Sequence, residues 1–294
     1  MNILFIGGNH KLCIEFLYKL LEKKMKFNIV ILDNQRNQYV QNETINYHFE
    51  YLQGDIYQYY YGSFENKELL YNICKKHSIN TIINNVKYNS NYSFEENYSG
   101  LINGYFNLLK VTKELNINKV INIRRLYSNN YHNLQNITNL RKNIHFFNIH
   151  NHELECLMGL DNIIYNIDYY DNLYYNSIHE FSNSFIEKYI YSFKIGDKPY
   201  IKDINMYFVN SDNVINSIIN CMKKNYNSLN HIIYGILINI QYELIPTILN
   251  YINIRYPHLQ CDCHYENKKD DNNKQIVFDD LNKAIAQSIK NIFA

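Results

Sequence analysis

The 294-residue chain has no surplus of either charge, no long apolar run and no tryptophan. Lys and Arg number 29 against 28 Asp and Glu, so the net charge is +1 and there is no electrostatic reason to expect nucleic acid or an anionic membrane as a partner. The longest apolar stretch, Ile232 to Ile238, is far too short to cross a bilayer, and it reads as a buried strand. The N-terminus lacks a basic region, a hydrophobic stretch and a small-residue cleavage site, because Gly7-Gly8 and His10-Lys11 interrupt it. A cytoplasmic protein is therefore expected. Without a secretion signal, the six scattered cysteines are expected as free thiols rather than a disulfide framework. Cys261-Asp262-Cys263-His264 lacks both the spacing and the second ligand pair of a structural zinc site, so no metal is expected. No internal repeat, P-loop or nucleophile elbow is found.

Hydrophobic residues make up 46% of the chain, enough for a sizeable core. With 30 tyrosines and abundant asparagine and isoleucine, a single Tyr or Asn carries little weight in any argument about function. The first 33 residues carry more. Asn2 to Ile6 reads as a short buried strand, Gly7-Gly8 as a turn, and Lys11 to Lys24 as a helix with Leu12, Phe16, Leu17, Leu20 and Leu21 at helical spacing. Phe27 to Leu32 reads as a second strand ending on Asp33. Strand, glycine turn, helix, strand and acid is the opening of a dinucleotide-binding βαβ unit.

The alternation continues to about Asp168. Strands are expected at Phe49–Leu52, Thr81–Ile83, Lys119–Ile123 and Asn162–Tyr165, and helices at Asn66–His77, Asn97–Leu115 and Ile144–Met158, with Arg124 to Asn143 mostly loop. Repeated β-α alternation implies a parallel sheet covered on both faces. Beyond it, Phe181–Phe193 reads as a helix, Met206–Val209 as a strand, Ser211-Asp212 as the start of a helix to Lys223, and Ile232–Ile240 as a strand or two. Helices at Tyr242–Ile254, with Pro246 in its first turns, and Asp279–Phe293 complete the reading. The expected fold is α/β, a Rossmann-type doubly wound parallel sheet over residues 1–168. A smaller C-terminal α/β lobe over residues 169–294 is interleaved with it.

The order of these features resembles the NAD-dependent epimerase/dehydratase family, the extended short-chain dehydrogenase/reductases, and within it the nucleotide-sugar dehydratases. Gly7-Gly8 sits at the family's first glycines, Asp33 at its ribose-binding acid, and Gly54-Asp55-Ile56 resembles its adenine contact. Asn107-Leu108-Leu109-Lys110 after Gly104 resembles its Gly-Thr-x-Asn-Leu-Leu-Glu helix, and Met206 to Asp212 its substrate-lobe segment. The resemblance implies NAD as cofactor, with Gly7, Gly8, His10, Asp33, Asp55 and Ile56 at the cofactor and a nucleotide or nucleotide sugar as ligand. It also implies a homodimer through the helices at 97–115 and 144–158. Asp33 favours NAD over NADP, because a carboxylate repels the extra 2′-phosphate.

The departures from the family pattern decide the functional reading. The second and third functional glycines fall on His10 and Cys13, where a Cβ is expected to push phosphate or helix outward. The family's chemistry needs a Tyr four residues before a Lys, the Lys lowering the phenol's pKa so that it can take a proton. Aligned on Glu155, those positions hold Phe147 and Asn151; shifted by one, they hold Phe146 and His150. The Tyr71/Lys75 and Tyr265/Lys269 pairs read as chance in a Tyr-rich chain. Arg124 and Arg125 occupy the positions of the dehydratases' acid pair, where a guanidinium cannot act as acid or base but could bind phosphate. Asn85-Val86-Lys87 replaces small residues and is expected to crowd the nicotinamide side. The favoured reading is a relative that has lost the redox chemistry and serves as a structural, binding or partner subunit. The alternative is an active enzyme with a rewired site, in which Tyr127 or Tyr131 replaces the missing phenol and Arg124 or Arg125 lowers its pKa.

Overall fold

The computed structural model describes residues 1–8, 11–34, 57–87, 93–126, 135–160, 162–174, 185–201, 203–223, 230–259, 261, 263–265 and 279–293, and every structural statement below concerns these. They divide into two compact units. One comprises Met1–Leu126, Gln135–Asp168 and Val214–Ile232, and the other residues 169–213 and 233–293.

The first unit is built on a seven-stranded sheet. Its strands are β1 (Asn2–Ile6), β2 (Asn28–Asp33), β3 (Tyr57–Tyr61), β4 (Thr81–Asn84), β5 (Lys119–Leu126), β6 (Ile164–Tyr170) and β10 (Asn230–Ile233), in the order β10-β6-β5-β4-β1-β2-β3. The pairs β1/β2, β1/β4, β2/β3 and β4/β5 are all parallel. This is a doubly wound order, with its switch point between β1 and β4. Ile3 to Ile6 and Ile29 to Leu32 are buried on both faces, as the covered strands of such a sheet require.

Helices α1 (Lys11–Glu22), α2 (Lys67–Lys76), α3 (Phe94–Tyr98), α4 (Gly104–Glu114), α5 (Gln135–Met158) and α7 (Ser211–Lys223) belong wholly or mainly to this unit. α2 starts where Asn66 accepts a hydrogen bond from the Leu69 N–H, and it carries Glu68 in its first turn and Lys75 and Lys76 in its last. α3 opens with a Ser93/Glu96 capping box and runs through a π-helical turn, Ser99–Asn103, into α4. Gly104 lies against the Phe64 ring, which a Cβ would approach to 2.7 Å.

In the second unit, β11 (Ile236–Asn239), β9 (Asn205–Asn210) and β7 (Asn172–Tyr174) form a three-stranded sheet, with β9 antiparallel to β11 and parallel to β7. β8 (Tyr200–Ile201) pairs with β12 (His264–Tyr265). Helices α6 (Phe185–Lys194), α8 (Ile245–Arg255) and α9 (Asp279–Phe293) bury Ile190, Ile248, Ile252, Leu281 and Ile285. Asp171, at φ +50°, buries its carboxylate and accepts from the Tyr207 N–H at 2.9 Å.

The strand at Tyr57–Tyr61 was not expected from the sequence, and the strand expected at Phe49–Leu52 lies outside the described residues. Two expectations need correction. Arg124 to Leu126 belongs to β5, and α5 begins at Gln135 rather than Ile144. The Asn-containing start of α5 disfavours helix by itself, but that preference is weak and the helix begins there nonetheless. Ile232 to Ile238 is not one buried strand. It is split between β10 and β11, which lie in different sheets, and Ile232, Tyr234 and Leu237 are exposed.

Candidate active site

The carboxyl ends of β1, β2 and β4 form one side of the candidate site. Gly7, at φ +75°, donates its N–H to Leu32 O at 3.0 Å, a backbone conformation that L side chains rarely adopt. A Cβ on Gly8 would stand 2.3 Å from Ile31 Cγ2, so the turn itself needs both glycines. Cys13 is fully buried, its sulfur 3.6 Å from where that Gly8 Cβ would be, so the third glycine position is filled and α1 packs around it with Phe16 and Leu20 fully buried. Burial, reinforced by the Asp33 charge, pushes the Cys13 thiol well above its ordinary pKa. Asp33 is buried at the end of β2. His10, Asp55 and Ile56 lie outside the described residues.

Asn85 follows β4 and closes on this turn. Its N–H donates to Ile6 O at 3.0 Å and its Nδ2 to Gly7 O at 3.3 Å, while its buried Oδ1 has no partner. The Val86 N–H donates to Asn84 Oδ1 at 3.3 Å.

The other side is a ladder of amides across β4, β5 and β6. Asn84 and Asn122 stand opposite each other in the sheet register. Asn84 Nδ2 donates to Asn122 Oδ1 at 3.1 Å, and Asn122 Nδ2 donates both to Asn166 Oδ1 at 3.0 Å and to the Tyr105 hydroxyl at 2.6 Å. The Asn122 amide is thus committed on both its N–H groups and its oxygen. Tyr105, from α4, donates in turn to Glu155 Oε1 on α5 at 2.6 Å. Burial first, and then the Glu155 charge, hold the Tyr105 pKa well above its usual value, so this phenol stays protonated at neutral pH.

Two residues beyond Asn122 and Asn166, Arg124 holds Asp168 in a two-pronged ion pair, Nε to Oδ1 at 2.7 Å and Nη2 to Oδ2 at 2.8 Å. Burial alone would lower the guanidinium pKa; the hydrogen bonds and charge of Asp168, with the Glu155 charge, outweigh it and raise the pKa. The sequence allows Arg124 to bind phosphate; in the structure the buried Asp168 carboxylate takes up its Nε and Nη2. Arg125 is half-buried.

On α5, Phe147 is 2% exposed and its ring stacks on Phe94 at 5.7 Å. Asn151, one turn on, has a buried Oδ1 without a partner. The shifted register offers Phe146 and His150, whose rings lie 4.0 Å apart. Neither register places a Tyr and a Lys together. The Lys75 ammonium lies over the Tyr71 ring at 5.7 Å on α2, away from α5 in the element order; Lys269, Tyr127 and Tyr131 lie outside the described residues. Among the described residues no group of three or more His, Cys, Asp or Glu could hold a metal ion, and no helix is long and apolar enough to cross a membrane.

Sequence reasoning singled out Arg124 and used Glu155 only to set the register; it missed Asn84, Asn122, Asn166, Tyr105 and Asp168 as a group. Asn84 closing β4, and Asn122 and Asn166 inside β5 and β6, were the available signal, masked by the abundance of asparagine.

No family model matches the chain, and no curated protein does. Solved structures share its fold over nearly the whole length. UDP-glucose 4-epimerase of Thermotoga maritima, solved with UDP-glucose, is 14% identical with a TM-score of 0.70, covering 100% of this chain and 99% of that one. dTDP-glucose 4,6-dehydratase of Bacillus anthracis, in complex with NAD, is 14% identical with a TM-score of 0.70, covering 99% and 96%. The Bordetella bronchiseptica enzyme WbmH, in complex with NAD+, is 11% identical with a TM-score of 0.70, covering 99% and 98%. The chain has the Rossmann-type α/β fold of NAD-dependent epimerase/dehydratase structures, as the resemblance implied.

Proposed function

We propose that this chain is a nucleotide-sugar epimerase/dehydratase-like protein that does not carry out the redox reaction and acts as a binding or partner subunit. The observation that carries this reading is Phe147. In the register set by Glu155, the resemblance puts the phenolate position on Phe147, whose ring is buried against Phe94, and the activating ammonium on Asn151. The nearby Tyr105 phenol is a committed donor to Glu155, and Arg124 is committed to Asp168. General acid–base chemistry needs a group whose pKa lies near the working pH and which reaches the substrate; Tyr105 meets neither condition, being raised in pKa and buried.

The Gly7-Gly8 turn and Asp33 fit the adenosine and pyrophosphate half of NAD. The α5 positions do not fit the reacting half. NAD, where bound, is a structural ligand in this reading, preferred over NADP by Asp33. The rewired-enzyme alternative loses Arg124 as the group that would lower a phenol's pKa, because Asp168 neutralises it.

The homodimer belongs to the same proposal. Phe94 and Tyr98 on α3 and Ile149 and Leu157 on α5 leave apolar surface exposed, at 43%, 36%, 44% and 83%. This is the surface a second copy would cover. Leu157→Arg is expected to shift sedimentation from dimer to monomer, whereas an unchanged sedimentation coefficient, or a monomeric parent chain, removes the dimer from the proposal.

The test of function is a thermal-shift and cofactor-fluorescence titration with NAD(H) and NADP(H), run beside an assay with UDP-glucose and dTDP-glucose. Binding without turnover is expected; turnover refutes the proposal.

A further inference from the structure

At the amino-terminal edge of the sheet, opposite the glycine turn, the first unit holds a cavity of about 550 Å³, within the range of small-molecule sites. It lies where α4 ends and β5 and β6 begin. Its floor is Thr112, Ile117, Leu160 and Tyr165, all buried. Its charged groups are Lys113 and Lys119, and its lining contains no carboxylate.

Both lysines are fixed in place. Lys113 Nζ donates to Met158 O, at the end of α5, at 3.1 Å. Lys119 Nζ donates to Cys221 O at 2.5 Å and Met222 O at 3.3 Å, near the end of α7, and lies 5.3 Å from the Tyr165 ring centre. The helix ends orient the ammonium groups, and Lys113 keeps two of its three N–H donors for another acceptor. Thr112 is 1% exposed, and its hydroxyl has no hydrogen-bond partner, a cost that native interiors normally avoid. Asn116, Asn118 and Asn162 add amides at the exposed rim.

From this arrangement we propose a second ligand site, separate from the glycine turn, for a small organic anion: a phosphate or carboxylate on a compact apolar body. The anion meets Lys113 and the rim amides, and the apolar body lies on Ile117, Leu160 and Tyr165. The helix-end carbonyls limit the positive field, so the expected affinity is modest, with a Kd of about 1 mM or somewhat tighter.

The test uses the full chain with labelled isoleucine and leucine methyl groups, titrated with phenyl phosphate, benzoate, inorganic phosphate and phenol. Saturable shifts of the Ile117, Ile163 and Leu160 methyls are expected with phenyl phosphate or benzoate. Lys113→Glu, at an exposed position, is expected to weaken binding at least tenfold, and Asn162→Trp, at the rim, to block it, both with unchanged melting temperature. Which of the two aromatic anions binds more tightly decides between phosphate and carboxylate. Three results overturn the proposal: no saturable shift with either aromatic anion, meaning that the cavity holds solvent only; phenol binding as tightly as phenyl phosphate; or affinity unaffected by both variants. None of these bears on the reading of Phe147 and Asn151.

Discussion

β1 and β2 hold the glycine turn with hydrocarbon, whereas β4, β5 and β6 hold their side of the site with amides and charges. In the first pair, Ile3 to Ile6 and Ile29 to Leu32 bury only apolar side chains. In the second group, Asn84, Asn122, Asn166, Arg124 and Asp168 are sheet residues joined side chain to side chain. Hydrocarbon packing is non-directional and tolerates exchange among residues of similar volume. A buried amide ladder tolerates little, because each member left without its partner carries a desolvation cost. The half of the sheet where a reaction would occur is therefore the half whose polar groups are already committed to one another.

The comparison is broken most severely by emptying the hydrocarbon side. Phe5 is fully buried, its ring 5.9 Å from Phe16, and Phe5→Ala is expected to cost about 4 kcal/mol in urea unfolding. On the polar side, Asp168→Ala strands the Arg124 charge at about 3 kcal/mol. Replacing both partners, Arg124→Met with Asp168→Leu, should recover most of that loss, which would show that the cost is the stranded charge and not the lost volume. Asn122→Ala leaves the Asn84 amide, the Asn166 carbonyl and the Tyr105 hydroxyl each short of a partner, at about 2 kcal/mol. A loss within about 0.5 kcal/mol, the range of ordinary surface changes, would show that the ladder does not hold this side.

The smallest effect is a pH dependence at the end of α2. Burial, with the Lys76 charge beside it, lowers the His77 pKa from 6.5. The unfolded imidazole then takes up its proton before the folded one does, so stability falls as pH drops through 6.5 toward the folded value. His77→Gln should flatten that part of the stability-versus-pH curve, and an unchanged slope would reject the assignment.

Much of the fold was legible because it rests on uninterrupted apolar periodicity. β1, α1 and α9 fall within two residues of their expected bounds. β3 was not legible: Tyr57-Gln58-Tyr59-Tyr60-Tyr61 has neither a continuous buried run nor a clean alternation, and its pairing with β2 places it. Nor was the start of α5, where Asn and Thr argue weakly for loop and the helix forms nonetheless. At the site, the lack of a Tyr-x-x-x-Lys pair in either α5 register could be read from the residues alone. The partner of Arg124 could not, because Asp168 stands 44 positions away and meets it only through the pairing of β5 with β6.

The most direct test of the central claim is to incubate the purified chain with NAD+ and UDP-glucose or dTDP-glucose and follow the sugar nucleotide by proton NMR. The account predicts spectra that do not change with time. The appearance of an epimerised, dehydrated or oxidised sugar nucleotide that depends on the chain would contradict it.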